Sequence, residues 1–120
     1  MQAPDCKLFV EAEVSASDLI SIVAYVLSKS PTRCEMEVLK NEEYDSKRRQ
    51  LFPDGFLYFR YIIDLYMPDE PIKTQAKLVS QLLEYLWDSG FPAVAACAFE
   101  AQLPHHGGYK SRRVPWPPED

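Results

Sequence analysis

Residues 56–90 read FLYFRYIIDLYMPDEPIKTQAKLVSQLLEYLWDSG, and their hydrophobic pattern changes period partway along. Residues 56–66 are dense in aromatic and β-branched side chains. They alternate between two rows, Leu57, Phe59, Tyr61, Ile63 and Leu65 against Phe56, Tyr58, Arg60, Ile62, Asp64 and Tyr66. A period of two in such residues predicts a strand. MPDEP then interrupts it: Asp69 and Glu70 favour a helix N-terminus, and Pro71 suits the first helical position, where a missing N–H costs nothing. Val79, Leu82, Leu83, Leu86 and Trp87 follow at helical spacing, and Gly90 suits the position just past the helix end.

The same switch occurs upstream. KLFVEAEV (7–14) turns Leu8, Val10, Ala12 and Val14 one way and Phe9, Glu11 and Glu13 the other, as a half-buried strand does. SASDLISIVAYVLSKSP places Ser15 three residues before Asp18, a variant of the capping box. The stripe Leu19, Ile22, Val23, Val26 and Leu27 then marks a helix that Pro31 stops. RCEMEVL (33–39) opposes Cys34, Met36 and Val38 to Glu35 and Glu37, and PAVAACAFEA (92–101) reads as a short apolar strand. The order β-α-β-β-α-β is the split βαβ, or ferredoxin-like, pattern. It predicts an α+β domain with two helices on one face of a four-stranded antiparallel sheet ordered 4-1-3-2.

That domain is expected to span residues 1–103. Residues 104–120 are expected to be a partly ordered tail, because Pro104, Pro115, Pro117 and Pro118 prevent regular pairing. Between the second and third strands, KNEEYDSKRRQLFPDG (40–55) is polar and ends in the turn signal Pro53-Asp54-Gly55, and its basic run SKRRQ (46–50) is expected to be a mobile charged hairpin tip.

The totals are consistent with one domain. A chain of 120 residues, 47% hydrophobic and 26% charged, has the composition of a globular protein. No run approaches the roughly 20 apolar residues of a membrane span, and MQAPDCKLFV lacks a basic segment followed by an apolar one, so a cytoplasmic location is expected. Cys6, Cys34 and Cys97 are an odd count at wide spacings with no C-x-x-C pair, which points to reduced thiols and away from disulfides or structural zinc. The net charge is −5. Residues 1–103 carry 16 acids against 10 Lys and Arg, whereas residues 104–120 carry 3 Lys and Arg against 2 acids. An acidic body repels phosphates and attracts basic partners, so nucleic acid is not expected to bind.

With its apolar rows against the helices, the sheet would display Phe9, Glu11, Glu13, Glu35, Glu37, Tyr58, Arg60, Asp64 and Tyr66 on its other face. Such a face is either a solvated surface or a docking surface for a cationic protein, with tyrosines as anchors and carboxylates adding on-rate and specificity. No ordered ligand motif supports a divalent-metal site. In LPHHGGY (103–109), adjacent histidines on an extended chain point to opposite sides, and no partner motif completes a metal site or a hydrolase. A surface turn is the expectation for His105 and His106. The basic run SKRRQ (46–50) is short, and the third strand lacks the RNP-like combination of aromatics with glycines, which speaks against RNA recognition.

Residues 84–109, EYLWDSGFPAVAACAFEAQLPHHGGY, resemble a C-terminal pattern of small bacterial proteins from polymorphic-toxin and contact-dependent-inhibition loci. There a helix ends in a W-x-x-G-like turn, an apolar strand ends at an acidic position, and an LP-x-x-GGY segment follows. The resemblance, confined to this segment, implies an immunity protein: a small, acidic, cytoplasmic domain that binds and blocks a cognate toxin, such as a nuclease. It implies no catalytic residue and no cofactor, and it carries over no contact residue. The expected function is therefore non-enzymatic toxin inhibition by a monomer or homodimer, with Glu11, Glu13, Glu35, Glu37, Tyr58, Arg60, Asp64 and Tyr66 as the candidate partner-binding set. A ferredoxin-like ligand-binding or regulatory domain dimerising through its sheet is the alternative. A small enzyme using His105 or His106 comes third.

Overall fold

The computed structural model describes residues 3–118. Central strands β1 (Cys6–Val10) and β3 (Tyr61–Tyr66) pair antiparallel and are flanked by β4 (Ala93–Cys97) and β2 (Glu35–Lys40). The four-stranded antiparallel sheet is ordered β2-β3-β1-β4, which from the other edge reads β4-β1-β3-β2. Helices α1 (Ala16–Ser28) and α2 (Ile72–Asp88) share one core with a single row of strand side chains. Cys6, Leu8 and Val10, Tyr61, Ile63 and Leu65, and Ala93 and Ala95 supply that row. Leu19, Val23 and Val26 meet it from α1, and Leu78, Val79, Leu82, Leu83 and Leu86 from α2. Each aliphatic side chain taken fully out of water contributes about 1.5–3 kcal/mol, so this layer sets the fold.

Two helix ends follow the sequence signals, whereas Pro71 is the extended residue before α2 and not its first helical position. Ser15 Oγ accepts the Asp18 N–H at 3.1 Å, satisfying a donor that has no partner within the helix. Gly90 adopts φ 86° just past α2 and donates its N–H to the Trp87 carbonyl at 2.9 Å.

Three expectations are corrected. The first strand ends at Val10, not Val14, and the last at Cys97, where the Glu100–Gln102 turn follows. The third strand starts at Tyr61, not Phe56, because Asp54–Tyr58 forms a 3₁₀ turn. The cause is Asn41, whose Nδ2 donates to the carbonyls of Leu57 (2.9 Å) and Phe59 (2.8 Å). Those acceptors are thus bound by a side chain. Residues 41–60 are consequently not a free hairpin tip but fold onto the sheet, with a second 3₁₀ turn at Arg48–Gln50.

The tail is laid against the body through Pro118. Its 3₁₀ turn Pro104–Gly108 runs beside β4. His105 and His106 are exposed with φ of 53° and 52°. Gly108, at φ 94°, comes so close that a Cβ there would lie 2.7 Å from the Ala93 carbonyl oxygen, so only glycine fits. Further on, the Trp116 indole N–H donates to the Gln50 carbonyl at 3.0 Å. Its ring stands edge-on to Phe52 and Phe59, each at 5.2 Å between centroids, and Val114 and Pro117 of the same segment are also buried. Trp116→Ala should cost about 2 kcal/mol of stability, less than the roughly 3–5 for an enclosed Trp because the ring is half-buried. The urea midpoint measures it, and an unchanged midpoint would mean that the tail adds no packing energy.

Candidate partner-binding face

The face of the sheet turned away from the helices is divided in two. At the end nearest the 41–60 connection it is roofed: Phe56 meets Phe9 edge-on at 5.3 Å, and Tyr109 meets Phe56 at 5.7 Å. The Tyr109 hydroxyl donates to Asp54 Oδ1 at 3.0 Å, a bond that raises its pKa above the ordinary phenol value. The β2–β3 half is uncovered and carries Glu35, Glu37 and Leu39 on β2 and Ile62, Asp64 and Tyr66 on β3.

Register explains the chemistry of that half. Glu35 lies opposite Tyr66, Glu37 opposite Asp64 and Leu39 opposite Ile62. Asp64 is in turn opposite Lys7, whose Nζ lies 3.0 Å from Asp64 Oδ1. Asp64 is only 5% exposed, so its charge is spent on Lys7 within the sheet. Glu35 and Glu37 are exposed and make no ion pair among the described residues. The result is two free carboxylates beside a strip of Leu39 (38% exposed), Ile62 and Tyr66.

β2 is also a sheet edge. The Asn41 N–H bonds the Arg60 carbonyl at 2.9 Å, which fixes the alternation: odd-numbered residues of β2 face β3. Met36 and Val38 therefore turn their N–H and C=O groups outward, where no strand meets them among the described residues.

The remaining members of the expected set lie elsewhere. Glu11 is 4% exposed, accepting the Arg60 backbone N–H at Oε1 (3.0 Å) and the Arg49 guanidinium at Oε2 (2.7 Å). Arg60 Nε sits 3.4 Å from the same Oε2, an ion pair without hydrogen-bond alignment. Glu11 is thus consumed inside the molecule. Arg60 also donates from Nη2 to the Tyr44 hydroxyl at 3.0 Å, with its guanidinium 4.8 Å over that ring. Tyr58 belongs to the 3₁₀ turn, half-buried with Arg48 at 5.4 Å, and is not on the sheet. Glu13 is exposed beyond the end of β1, on the rim of a separate cavity of about 370 Å³ with Phe91 and Trp116. Of the eight, only Glu35, Glu37, Asp64 and Tyr66 form one surface.

Sequence reasoning placed Arg49 in a mobile tip and gave no role to Asn41 or Lys7. A lone Asn ending an alternating strand is the available signal for the first. Nothing local marks the other two, since their partners lie 38 and 57 residues away. Among the described residues no three His, Cys, Asp or Glu side chains converge so as to hold a metal ion, and no helix is long and apolar enough to cross a membrane.

A scan of protein-family models returned no match, and searches of curated proteins and of solved structures returned no relative.

Glu11→Gln removes the charge that Arg49 and Arg60 face and should cost about 2–3 kcal/mol, moderated by the solvent access Arg60 retains. A double-mutant cycle with Arg49→Met should give a coupling above about 1 kcal/mol in urea melts. Additive effects would show the pair to be independent.

Proposed function

We propose that this protein is a non-enzymatic immunity protein that binds a cognate toxin in the bacterial cytoplasm through the β2 edge and the adjoining open face. The observation that carries the reading is the free edge of β2, with Glu35 and Glu37 exposed and uncompensated beside Leu39, Ile62 and Tyr66. Acidic groups mixed with apolar and aromatic side chains suit a cationic protein surface: the charges steer encounter and the apolar strip supplies area. Unpaired outward N–H and C=O groups could in addition accept an extended segment of the partner. The net charge of −5 supports the same sign of partner, of which a nuclease with a phosphate-binding cleft is one example.

The frame supports this use. We read the β-α-β-β-α-β order of this α+β antiparallel sheet as a ferredoxin-like split βαβ, a frame in which helices occupy one face and leave the other available. Dimerisation through the sheet is the second reading. Pairing two β2 edges antiparallel about their midpoint would set Glu37 against Glu37, and directly opposed like charges are unfavourable. The acidic edge therefore favours a basic partner over a second copy.

The test begins with the protein that co-purifies from the native host, followed by binding kinetics with that partner. Glu35→Lys with Glu37→Lys should slow association about tenfold or more, with the greatest effect at low salt. Tyr66→Ala should raise the off-rate, at a cost of about 2 kcal/mol if the ring is an anchor. His105→Ala and His106→Ala should bind normally. Histidine variants that fail while the β2 variants bind as wild type would move the working surface to the Pro104–Gly108 turn.

A further inference from the structure

Cys6 and Cys97 face each other directly across the β1–β4 ladder. The hydrogen-bond phase at that position follows from one bond: Glu11 N–H donates to the Pro92 carbonyl at 2.9 Å. Counting back in register, Phe9–Val94 and Lys7–Ala96 are hydrogen-bonded pairs, and Cys6–Cys97 falls in the non-hydrogen-bonded class. In that class facing Cα atoms are about 4.5 Å apart, the closer of the two antiparallel spacings. That lies within the roughly 4.4–6.8 Å over which a disulfide closes without moving the backbone. Both side chains lie on the helix-facing side, in the row of Leu8 and Ala95.

The two sulfurs differ in access. Cys6 is 1% exposed. Cys97 is half-buried and lines a cavity of about 450 Å³ at the end of the sheet, together with Asp5, Ile72, Gln75 and Phe99. Ile72 and Ala98 on its rim are exposed, so a small reagent reaches Cys97 before Cys6. Their acidities differ in the same sense. The neighbouring Cys6 thiol is the main influence lowering the Cys97 pKa, with the Phe99 N–H adding to the effect against burial. Cys6 is pushed up by the neighbouring Cys97 and then by burial. An accessible sulfur beside a sheltered one on the facing strand is the arrangement of an attacking and a resolving thiol.

We propose that Cys6 and Cys97 form a peroxide-reactive thiol pair that closes to a reversible cross-strand disulfide. The Cys97 thiolate attacks one oxygen of a hydroperoxide, forming an S–O bond and breaking O–O. The departing oxygen takes up the proton Cys97 had released and leaves as water or an alcohol. The Cys6 sulfur then attacks the Cys97 sulfur, forming S–S and breaking S–O, and the hydroxyl leaves as water with the Cys6 proton. Two electrons pass from the thiols to the peroxide, and an external dithiol reverses the change. Cys34 takes no part. It lies just before β2, with β3 and β1 between it and β4, and burial pushes its thiol up to about 11.

Hydrogen peroxide added to the reduced full chain tests this by thiol titration under denaturing conditions and by intact mass. The titratable thiols should fall from three to one with a mass loss of two hydrogens, and peptide mapping should join Cys6 to Cys97. Dithiothreitol should restore all three. Cys97→Ser should abolish the loss of thiols. Cys6→Ala should leave Cys97 as a sulfenic acid trapped by a dimedone probe, and circular dichroism of each variant checks its fold. Three thiols after peroxide, a bond that includes Cys34, or oxidation of Cys97 without closure would each overturn the proposal.

Discussion

The Glu11 carboxylate, 4% exposed, accepts the Arg60 amide and the Arg49 guanidinium, and much of the molecule outside the helical layer depends on that contact. A buried carboxylate is costly unless its oxygens are satisfied. Here the satisfying groups come from a polar connection with little apolar content of its own to hold it down. Once Arg49 is drawn in, the Arg48–Gln50 turn is fixed and Phe56 lies over Phe9. The gap between Phe52 and Phe59 becomes the socket that Trp116 fills, with Gln50 presenting the carbonyl its indole N–H needs. Connection and tail are thus held through one another, and the tail's prolines are no obstacle because side chains, not a ladder, carry the packing.

Elements governed by local periodicity were legible in the sequence. The stripe of α1, the stripe of α2, the Ser15 cap and the Gly90 terminus are relations over a few residues, and strand alternation supplied the core row of β1 and β3. What was not legible rests on contacts between distant residues. Asn41 diverts the carbonyls of Leu57 and Phe59, so aromatic residues that look like strand fold as a turn. Trp116 and Gln50 are 66 residues apart. Composition identified 40–55 and 104–120 as polar or proline-rich, but it carries no information about long-range hydrogen bonds.

The candidate face shows the same boundary. Parity along β2 and β3 correctly grouped Glu35, Glu37, Asp64 and Tyr66, since alternation is a property of the strand itself. It failed for Glu11 and Tyr58, because alternation says which way a side chain points and nothing about what is folded over it. Asp64 occupies the expected place, yet Lys7 neutralises it across one strand pair. Charge counted from sequence therefore overstates the charge a partner would meet, and the two carboxylates of β2 account for what remains on that face.

Gly108 has a consequence for assembly. By letting the chain lie against the Ala93 carbonyl, it allows the Pro104–Gly108 turn to run along the outer side of β4, while β2 at the opposite side is left bare. A sheet open at both borders can template itself without limit, each added strand exposing a new one. This sheet can be extended in one direction only. Whatever joins β2 meets a molecule whose far border is packed against its own chain, which disfavours open-ended extension of the sheet by backbone pairing.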